Sequence, residues 1–348
     1  MKKLLNTLFV MSSNRYLSLD GENVVILSKD DSGNDTEIGR LPLHNLESIV
    51  TCGYTGASPA FMRACASKDI SLNFMSSNGK FIARIVGEVK GNVTLRREQY
   101  RIAGDVDRSI NIAKNFITAK IYNSKWVIER AIRDYPLRID TEKLKAKSVF
   151  LGNSLHMARD TQDDGQLRGI EGEAASVYFS VFDDLILQQK DGFFFKSRNK
   201  RPPLDNVNAM LSFAYTLLAG MCASALETVG LDPYVGFLHK DRPGRISLAL
   251  DLMEEFRAVM ADRFVLTLIN KKIVNKAGFI QKENGSILMD DNTRKDFLNA
   301  WQSKKQDKIV HPFLDEKIEW GMVPYVQAIL LARFIRGDID GYPPFFWK

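Results

Sequence analysis

The sequence predicts an α+β fold, with a small, β-rich, sandwich-like N-terminal domain followed by a larger, mostly α-helical C-terminal domain. Short β-branched and aromatic runs separated by turn-forming residues extend to about residue 90. After residue 92 the apolar spacing becomes helical and stays so nearly to the end. The 348 residues are 45% hydrophobic and 26% charged, which is enough for two domains with sizeable cores. We therefore predict a β domain over residues 1–93 and a helical domain over residues 94–348, and we exclude disordered and collagen-like classes.

The N-terminal domain is expected to contain strands and one helix. An Asp-Gly pair at residues 20–21 predicts a hairpin, and a Ser-Pro pair at residues 58–59 predicts the start of a short helix that ends near residue 66. Residues 4–11 resemble a secretory signal but are too short and too polar for one, so we interpret them as a strand. The predicted strands cover residues 4–11, 16–19, 24–27, 48–51, 70–74 and 81–86.

The C-terminal domain is expected to be built from long helices. Gly230 supplies a stop signal for one of them. The predicted helices cover residues 94–134, with an interruption near residue 104, and residues 171–187, 205–229, 247–269 and 323–336.

Cysteine usage and missing motifs limit the functional classes. Three cysteines without a Cys-x-x-Cys spacing indicate a reducing, cytoplasmic compartment and argue against a zinc finger. No run of 18 apolar residues occurs, so we expect no membrane span. P-loop, dinucleotide-binding, His-Glu-x-x-His and Gly-x-Ser-x-Gly motifs are also missing from the sequence. The sequence therefore argues against nucleotide hydrolysis by a P-loop, zinc proteolysis and serine hydrolysis.

Positive charge is unevenly distributed. The chain carries 48 Lys and Arg against 42 Asp and Glu, a formal charge of +6. Residues 96–147 contain 13 basic and 7 acidic side chains, so their excess equals that of the whole chain. We expect an anionic partner to contact this segment. A second basic segment, residues 196–201, has four cations and is either a solvated mobile loop or a phosphate-contacting arm.

Glu171 is the first candidate for chemistry. A helix that begins here would place it on the same face as Ala174, Ala175 and Tyr178. A carboxylate on a packing face is costly unless it is paired or bound to a metal. The alternative is an acid in the first turn that the helix dipole stabilises. Spacing alone leaves both interpretations open.

A second candidate group combines His239 with acids of the helix that follows Ser247, its expected cap. Asp251 and Glu254 are three positions apart and share a helix face. One imidazole with carboxylates from different elements suits Mg²⁺ or Mn²⁺. The alternative is a structural histidine beside a solvated acidic face that is matched to Arg257.

Four sequence blocks occur in order: Arg-Gly-Ile-Glu-Gly-x-Ala-Ala at 168–175, Arg-Pro-Pro-x-Asp-x-x-Asn-Ala-x-Leu-Ser at 201–212, Gly-Leu-Asp-Pro-x-x-Gly-Phe-x-His at 230–239, and Ser-Leu-Ala-x-Asp-Leu-x-Glu at 247–254. Together they resemble the CRISPR-associated integrase and endonuclease of spacer acquisition. The resemblance covers nearly the whole chain and implies the same two-domain architecture. The aromatic tail at 341–347 resembles the version found in type I-C systems.

The resemblance implies that Glu171, His239 and Glu254 bind Mg²⁺ or Mn²⁺ and are catalytic. Asp251 would be a further acid that supports the site and can ligate the metal. The implied reaction inserts short foreign DNA fragments into a CRISPR array, and a water nucleophile would give cleavage instead. Implied partners are double-stranded DNA, a second copy of the chain and the small partner nuclease of the adaptation complex. The expected DNA contacts are Arg198, Lys200, Arg201, Arg242 and Arg245.

Two other functions are compatible with the sequence. One is a non-catalytic DNA- or RNA-binding scaffold in which the three candidate ligands form a buried polar network. The other is a metal-dependent repair nuclease that uses the same site. The aromatic tail could anchor a partner, but we expect it to pack against its own chain.

Overall fold

The computed structural model describes residues 6–10, 12, 14–30, 32–76, 81–85, 87, 93–199 and 201–348. It confirms the predicted α+β class, because a strand-rich region precedes a long helical one. The chain forms two compact units: Met1–Gly91 with Arg294–Asp307, and Asn92–Thr293 with Lys308–Lys348. The boundary predicted at residue 93 lies close to the end of the first stretch. The return of residues 294–307 to the first unit has no counterpart in the prediction.

The first unit contains two four-stranded sheets, with strand orders β1-β5-β7-β8 and β4-β3-β2-β6. In the first sheet, β5 pairs in parallel with β1 and β7, and β8 is antiparallel to β7. In the second sheet, β3 is antiparallel to β2 and β4, and β6 runs parallel to β2. The strands are β1 (Asn6–Val10), β2 (Arg15–Asp20), β3 (Asn23–Lys29), β4 (Asp35–Pro42), β5 (Leu46–Cys52), β6 (Thr55–Ala57), β7 (Ser71–Met75) and β8 (Phe81–Ile85).

Both sheets contribute to one core. Leu17 from one sheet, Ile49 from the other and Phe61 from helix α1 (Pro59–Ser67) are fully buried in the same cluster. The sandwich-like arrangement follows from this shared core. The Ser58 hydroxyl accepts from the Phe61 amide at 3.2 Å, so the predicted helix cap is confirmed. The predicted hairpin joins β2 to β3, with Gly21 at φ +58°.

Some strand predictions were incomplete. Strands β4 and β6 were not predicted, because most residues of β4 are exposed and β6 has only three residues. Residues 4, 5, 11 and 86 of the predicted strands lie outside the described part of the chain.

The second unit is built around α3, which packs against α2, α4, α5 and α7. Asp105 caps α3 and separates it from α2, which confirms the interruption predicted near residue 104. A π-helical turn, Arg257–Asp262, divides the helix predicted over 247–269. Helices α4 and α9 were not predicted. The helices of this unit are α2 (Val93–Gly104), α3 (Val106–Asp134), α4 (Thr141–Asp160), α5 (Asp164–Ser180), α6 (Asn206–Thr228), α7 (Ser247–Glu254), α8 (Arg263–Asn270) and α10 (Val323–Arg336), while most of α9 (Asp291–Lys305) belongs to the first unit.

Two short hairpins complete the chain, β9 (Phe279–Gln281) with β10 (Ile287–Met289) and β11 (Lys308–Val310) with β12 (Lys317–Glu319). Helix α6 is the longest strongly apolar helix in this unit. Among the described helices it is the one whose length and mean hydropathy, 1.6, would permit a membrane span. However, 67% of that apolar window is buried, and α6 packs against α7, α8 and α10. Its apolar character is therefore accounted for by its place in the protein core.

Candidate metal and phosphodiester site

Glu171 lies inside a helix, not at its start. Asp163 caps α5 by accepting from the Gln166 amide at 2.7 Å, so Glu171 is two turns further along. The dipole of a helix acts within its first turn, so the interpretation of Glu171 as a first-turn acid is wrong. The predicted face is confirmed, because Ala174 and Tyr178 are buried. The charge of Glu171 must therefore be balanced by side chains.

Lys120 of α3 supplies that balance. Its ammonium group contacts a carboxylate oxygen of Glu171 and lies 2.7 Å from Oε2 of Glu254. Only 12% of the Lys120 side chain is exposed. One cation thus joins two acids that are 83 positions apart in sequence (254 − 171). Sequence reasoning missed Lys120, since it was one of many lysines in a basic segment.

Glu254 is buried at the C-terminal end of α7 and is held ionised. Arg257, in the following π-helical turn, donates from Nη1 to both carboxylate oxygens at 2.8 and 3.1 Å. Burial alone would raise the pKa of Glu254, but the positive charges of Arg257 and Lys120 outweigh it and lower the pKa to about 2. A positive charge on His239 would lower this pKa as well.

Asp251 fixes the orientation of His239. Its buried carboxylate accepts from the backbone amides of Phe237, Leu238 and His239 at 2.7, 2.9 and 2.9 Å. It also lies 2.6 Å from Nδ1 of the His239 ring. With Nδ1 donating to Asp251, Nε2 carries the lone pair that can bind a ligand. Both Asp251 oxygens are occupied, so this geometry gives Asp251 a positioning role.

The loop before His239 is closely packed. A Cβ at Gly236 would lie 2.8 Å from Oδ2 of Asp251 and 3.0 Å from the carbonyl oxygen of His239, so only glycine fits. Ser247 was predicted to cap α7, but it makes no cap hydrogen bond and instead donates to the Lys240 carbonyl at 3.3 Å. The loop is thus ordered by Asp251 and not by the helix cap.

Helices α2 and α3 hold the same loop from its other side. Gln99 donates to the carbonyl oxygens of Asp232 and Val235 at 2.8 and 2.9 Å. Ser109 donates to the Phe237 carbonyl at 2.9 Å. Gln99 is fully buried, and in the sequence nothing distinguishes it from an ordinary helical position. The Ser109 bond connects the loop that carries His239 to α3, the helix that also carries Lys120.

The donor set fits a divalent cation. Two carboxylates and one imidazole with a free Nε2 are oxygen and nitrogen ligands of the type that Mg²⁺ and Mn²⁺ accept. The Lys120 ammonium between Glu171 and Glu254 shows that this position favours a cation. Among the described residues, no three His, Cys, Asp or Glu side chains already converge closely enough to hold a metal. The residue types therefore suit such an ion, although three ligands do not converge in this structure, where the Lys120 ammonium lies between the two carboxylates.

A cavity of about 490 Å³ opens beside these residues. Lys120, Glu171 and Arg257 line one part, and Lys196 and Arg198 line another. Glu171 therefore shares one concave surface with the cations Lys120, Arg257, Lys196 and Arg198.

The predicted DNA contacts differ in exposure. Arg198 donates to the side chains of Asn208 and Ser212 at 2.6 and 3.1 Å and is largely buried, which lowers its pKa. It is therefore tied to α6 and is not part of a mobile arm. Arg201 and Arg242 are exposed and Arg245 is half-buried. Lys200 lies outside the described residues.

The basic segment 96–147 is largely paired. Ten of its 13 cations contact a carboxylate or a carbonyl oxygen within the chain. Most of these pairs are exposed, and exposed pairs are weak enough to exchange for a phosphate. DNA contact by this segment stays a prediction.

The aromatic tail packs against its own chain, as expected. Tyr342 and Phe345 are buried, and the Asn123 amide donates to the Phe345 carbonyl at 2.8 Å. The Phe345 amide donates to the buried carboxylate of Glu255 at 2.8 Å. The tail thus contacts the residue next to Glu254.

Comparison with known proteins identifies the chain. The family model for CRISPR associated protein Cas1 matches residues 8–303. A CRISPR-associated endonuclease Cas1 from Chlorobaculum tepidum is 47% identical over 348 residues, which cover 100% of both chains. These matches place the protein among the CRISPR-associated proteins. Within that class it belongs to the Cas1 family, whose curated relatives are named endonucleases.

Solved structures support the fold. A casposase bound to its integration product has a TM-score of 0.84 at 23% identity, with 99% of this chain and 95% of that chain covered. A Cas6-RT-Cas1–Cas2 complex has a TM-score of 0.80 at 18% identity, with 100% of this chain and 36% of that chain covered. At these identities the likeness establishes the architecture alone.

Proposed function

We propose that this protein is a metal-dependent DNA integrase and endonuclease that inserts short foreign DNA fragments into a CRISPR array by phosphodiester transesterification. The observation that carries the proposal is that Glu171 and Glu254 both contact the ammonium of Lys120. In addition, Asp251 holds Nδ1 of His239, which leaves Nε2 of the ring to bind a ligand. Membership of the Cas1 family supports it independently.

Glu171, Glu254 and Nε2 of His239 would hold Mg²⁺ or Mn²⁺. The ion would polarise the phosphodiester and lower the pKa of the attacking hydroxyl. Arg257 keeps Glu254 ionised, so this ligand is ready to bind at neutral pH. Asp251 sets the imidazole tautomer and holds its loop. The nucleophile then decides the outcome, because water gives cleavage and a DNA 3′-hydroxyl gives strand transfer.

The partners form part of the proposal. We assign double-stranded DNA, a second copy of the chain and a small partner nuclease, in a type I-C system in the cytoplasm. A similar solved fold is named as part of a Cas1–Cas2 complex, which supports the protein partner. Exposed Arg201 and Arg242, with Arg245 and Lys200, would contact the DNA backbone. Arg242→Ala should weaken binding to all DNA sequences equally and reduce the salt slope by about one.

The decisive experiment measures cleavage and strand transfer with Mn²⁺ for Glu171→Ala, His239→Ala and Glu254→Ala. We expect each variant to lose both activities while it still binds DNA in a fluorescence anisotropy assay. Glu129→Ala is the matched control, since this α3 carboxylate pairs with Lys125 at 3.0 Å and takes no part in the site. Full activity in the three site variants would overturn the assignment of these residues, whereas a wild type that binds DNA but neither cleaves nor joins it would favour the non-catalytic scaffold.

A second assay separates integration from nuclease activity alone. Fragments with a free 3′-hydroxyl and fragments with a blocked 3′-end are offered to the wild-type protein. An integrase joins only the former, because the blocked end has no nucleophile. Equal processing of both would indicate a repair nuclease.

A further inference from the structure

We propose that Lys120 is an internal counter-ion that holds Glu171 and Glu254 together and must leave before a divalent cation can enter. The inference rests on the proposed function and names the residue that limits metal affinity at the same site. Lys120 lies outside the four sequence blocks and is not one of the proposed metal ligands.

The position of Lys120 is the first support. Its ammonium contacts Glu171 and lies 2.7 Å from Glu254, in the space between the two carboxylates. A metal bound by both acids would have to occupy the same space. The ammonium and the metal are therefore mutually exclusive on steric grounds.

Charge gives the second support. With Lys120 and Arg257 in place, two cations balance the two carboxylates of this cluster. Adding a divalent ion without releasing Lys120 would leave two excess positive charges in a largely buried site, where charge interactions are strong. If the metal replaces Lys120, the excess is only one positive charge.

The third support is that Lys120, unlike Arg257, can move. Arg257 binds both oxygens of Glu254, and its guanidinium lies 4.5 Å from the centre of the Tyr215 ring, so several contacts hold it. Lys120 is a point charge on a flexible four-carbon stem. It also lines the cavity of about 490 Å³, which has room for the displaced ammonium.

The consequence is a compromise between stability and metal affinity. Without metal, Lys120 prevents two nearby carboxylates from repelling each other. With metal, its displacement weakens binding. A protein that lacks this cation should thus fold less stably without metal and bind metal more tightly.

The experiment titrates the full-length protein with Mn²⁺ by isothermal calorimetry and follows thermal unfolding without metal. We compare the wild type with Lys120→Met and Lys120→Gln, the second of which retains a polar end if the first folds poorly. We expect both variants to bind Mn²⁺ at least fivefold more tightly, to melt at a lower temperature without metal and to gain more from added Mn²⁺. Lys125→Met on the same helix is the matched control and should match the wild type.

Each result has a definite meaning. Wild-type Mn²⁺ affinity or weaker binding in both Lys120 variants would overturn the counter-ion role, even if their melting temperatures fall. If neither the wild type nor the variants bind Mn²⁺, the metal-dependent function itself is wrong and the inference fails with it. A merely structural lysine would lower stability without tightening metal binding.

Discussion

Two adjacent glutamates at the end of α7 occupy opposite chemical environments. Glu254 and Glu255 are both buried, at 5% and 0% exposure. Arg257 and Lys120 surround Glu254, and its pKa falls to about 2 despite burial. Glu255 meets only neutral donors, and burial raises its pKa to about 8 although hydrogen bonds from Tyr342, Phe345 and Gln327 oppose the shift. The charge of the neighbouring groups, and not burial, therefore decides the charge state of each glutamate.

The two glutamates therefore have different roles, although they are neighbours in the chain. The Glu254 side is charged and faces the Lys120 and Glu171 cluster, which suits it for metal chemistry. The Glu255 side binds the C-terminal tail, which suits it for holding the end of α7 in place. Substitutions on each side should therefore affect different properties.

The largest expected effect separates the two glutamates directly. Glu254→Gln removes a charged metal ligand, and we expect strand transfer to fall by at least about a thousandfold, about 4 kcal/mol in activation free energy. Glu255→Gln keeps the shape of a group that is mostly protonated at neutral pH, so its rate should stay within about threefold of the wild type. Single-turnover kinetics measure both. Equal losses in the two variants would refute the division of tasks.

The tail side should respond in stability. Phe345→Ala removes a fully buried ring that packs near Phe256 and Trp320, with centroids at 5.8 and 6.1 Å, and should cost roughly 3–4 kcal/mol of unfolding free energy. Phe313, which is 55% exposed, provides the control. Its replacement by alanine should cost less than about 0.5 kcal/mol. Urea unfolding measures both free energies. If Phe345→Ala loses as little unfolding free energy as the control variant, the tail does not pack as described.

A smaller effect is expected at the residue that orients the imidazole. Asp251→Asn keeps the size of the side chain but loses the charge that accepts from three amides and the His239 ring. Loss of such a partner typically weakens metal binding by about 10–100-fold. Mn²⁺ calorimetry measures it. If affinity is unchanged, His239 does not depend on Asp251 for its orientation.

Asp262 tests the rule with an intermediate case. Burial raises its pKa to about 6, less than that of Glu255, because Tyr215 donates to it and Arg257 lies nearby. Since its folded pKa exceeds the unfolded value of 3.8, its contribution to stability is complete below about pH 4 and is lost as the pH rises through 6. The free energy of unfolding of the wild type, relative to that of Asp262→Asn, should thus fall by roughly 2–3 kcal/mol from pH 4 to pH 7. Unfolding curves across that range measure it, and a constant difference would contradict the raised pKa.

Much of the fold could be predicted from local patterns. The hairpin at Gly21, the cap at Ser58 and the break before α3 each depend on a few neighbouring residues. Strand β4 and helix α4 were not predicted, because their many exposed residues weaken the regular spacing of apolar residues. Helix α5 begins seven residues before the predicted start at residue 171, because Asp163 caps it.

The sequence by itself determined the fold class and the family resemblance, because the order and spacing of the four sequence blocks carry that information. The resemblance then implied the candidate ligands Glu171, His239 and Glu254, which spacing alone left open. Only the tertiary structure decided what surrounds them. Lys120 and Glu254 are 134 positions apart (254 − 120), and no local pattern predicts that the lysine joins two acids. The opposite charge states of Glu254 and Glu255 have the same cause, because electrostatic neighbours are set by packing and not by position in the chain.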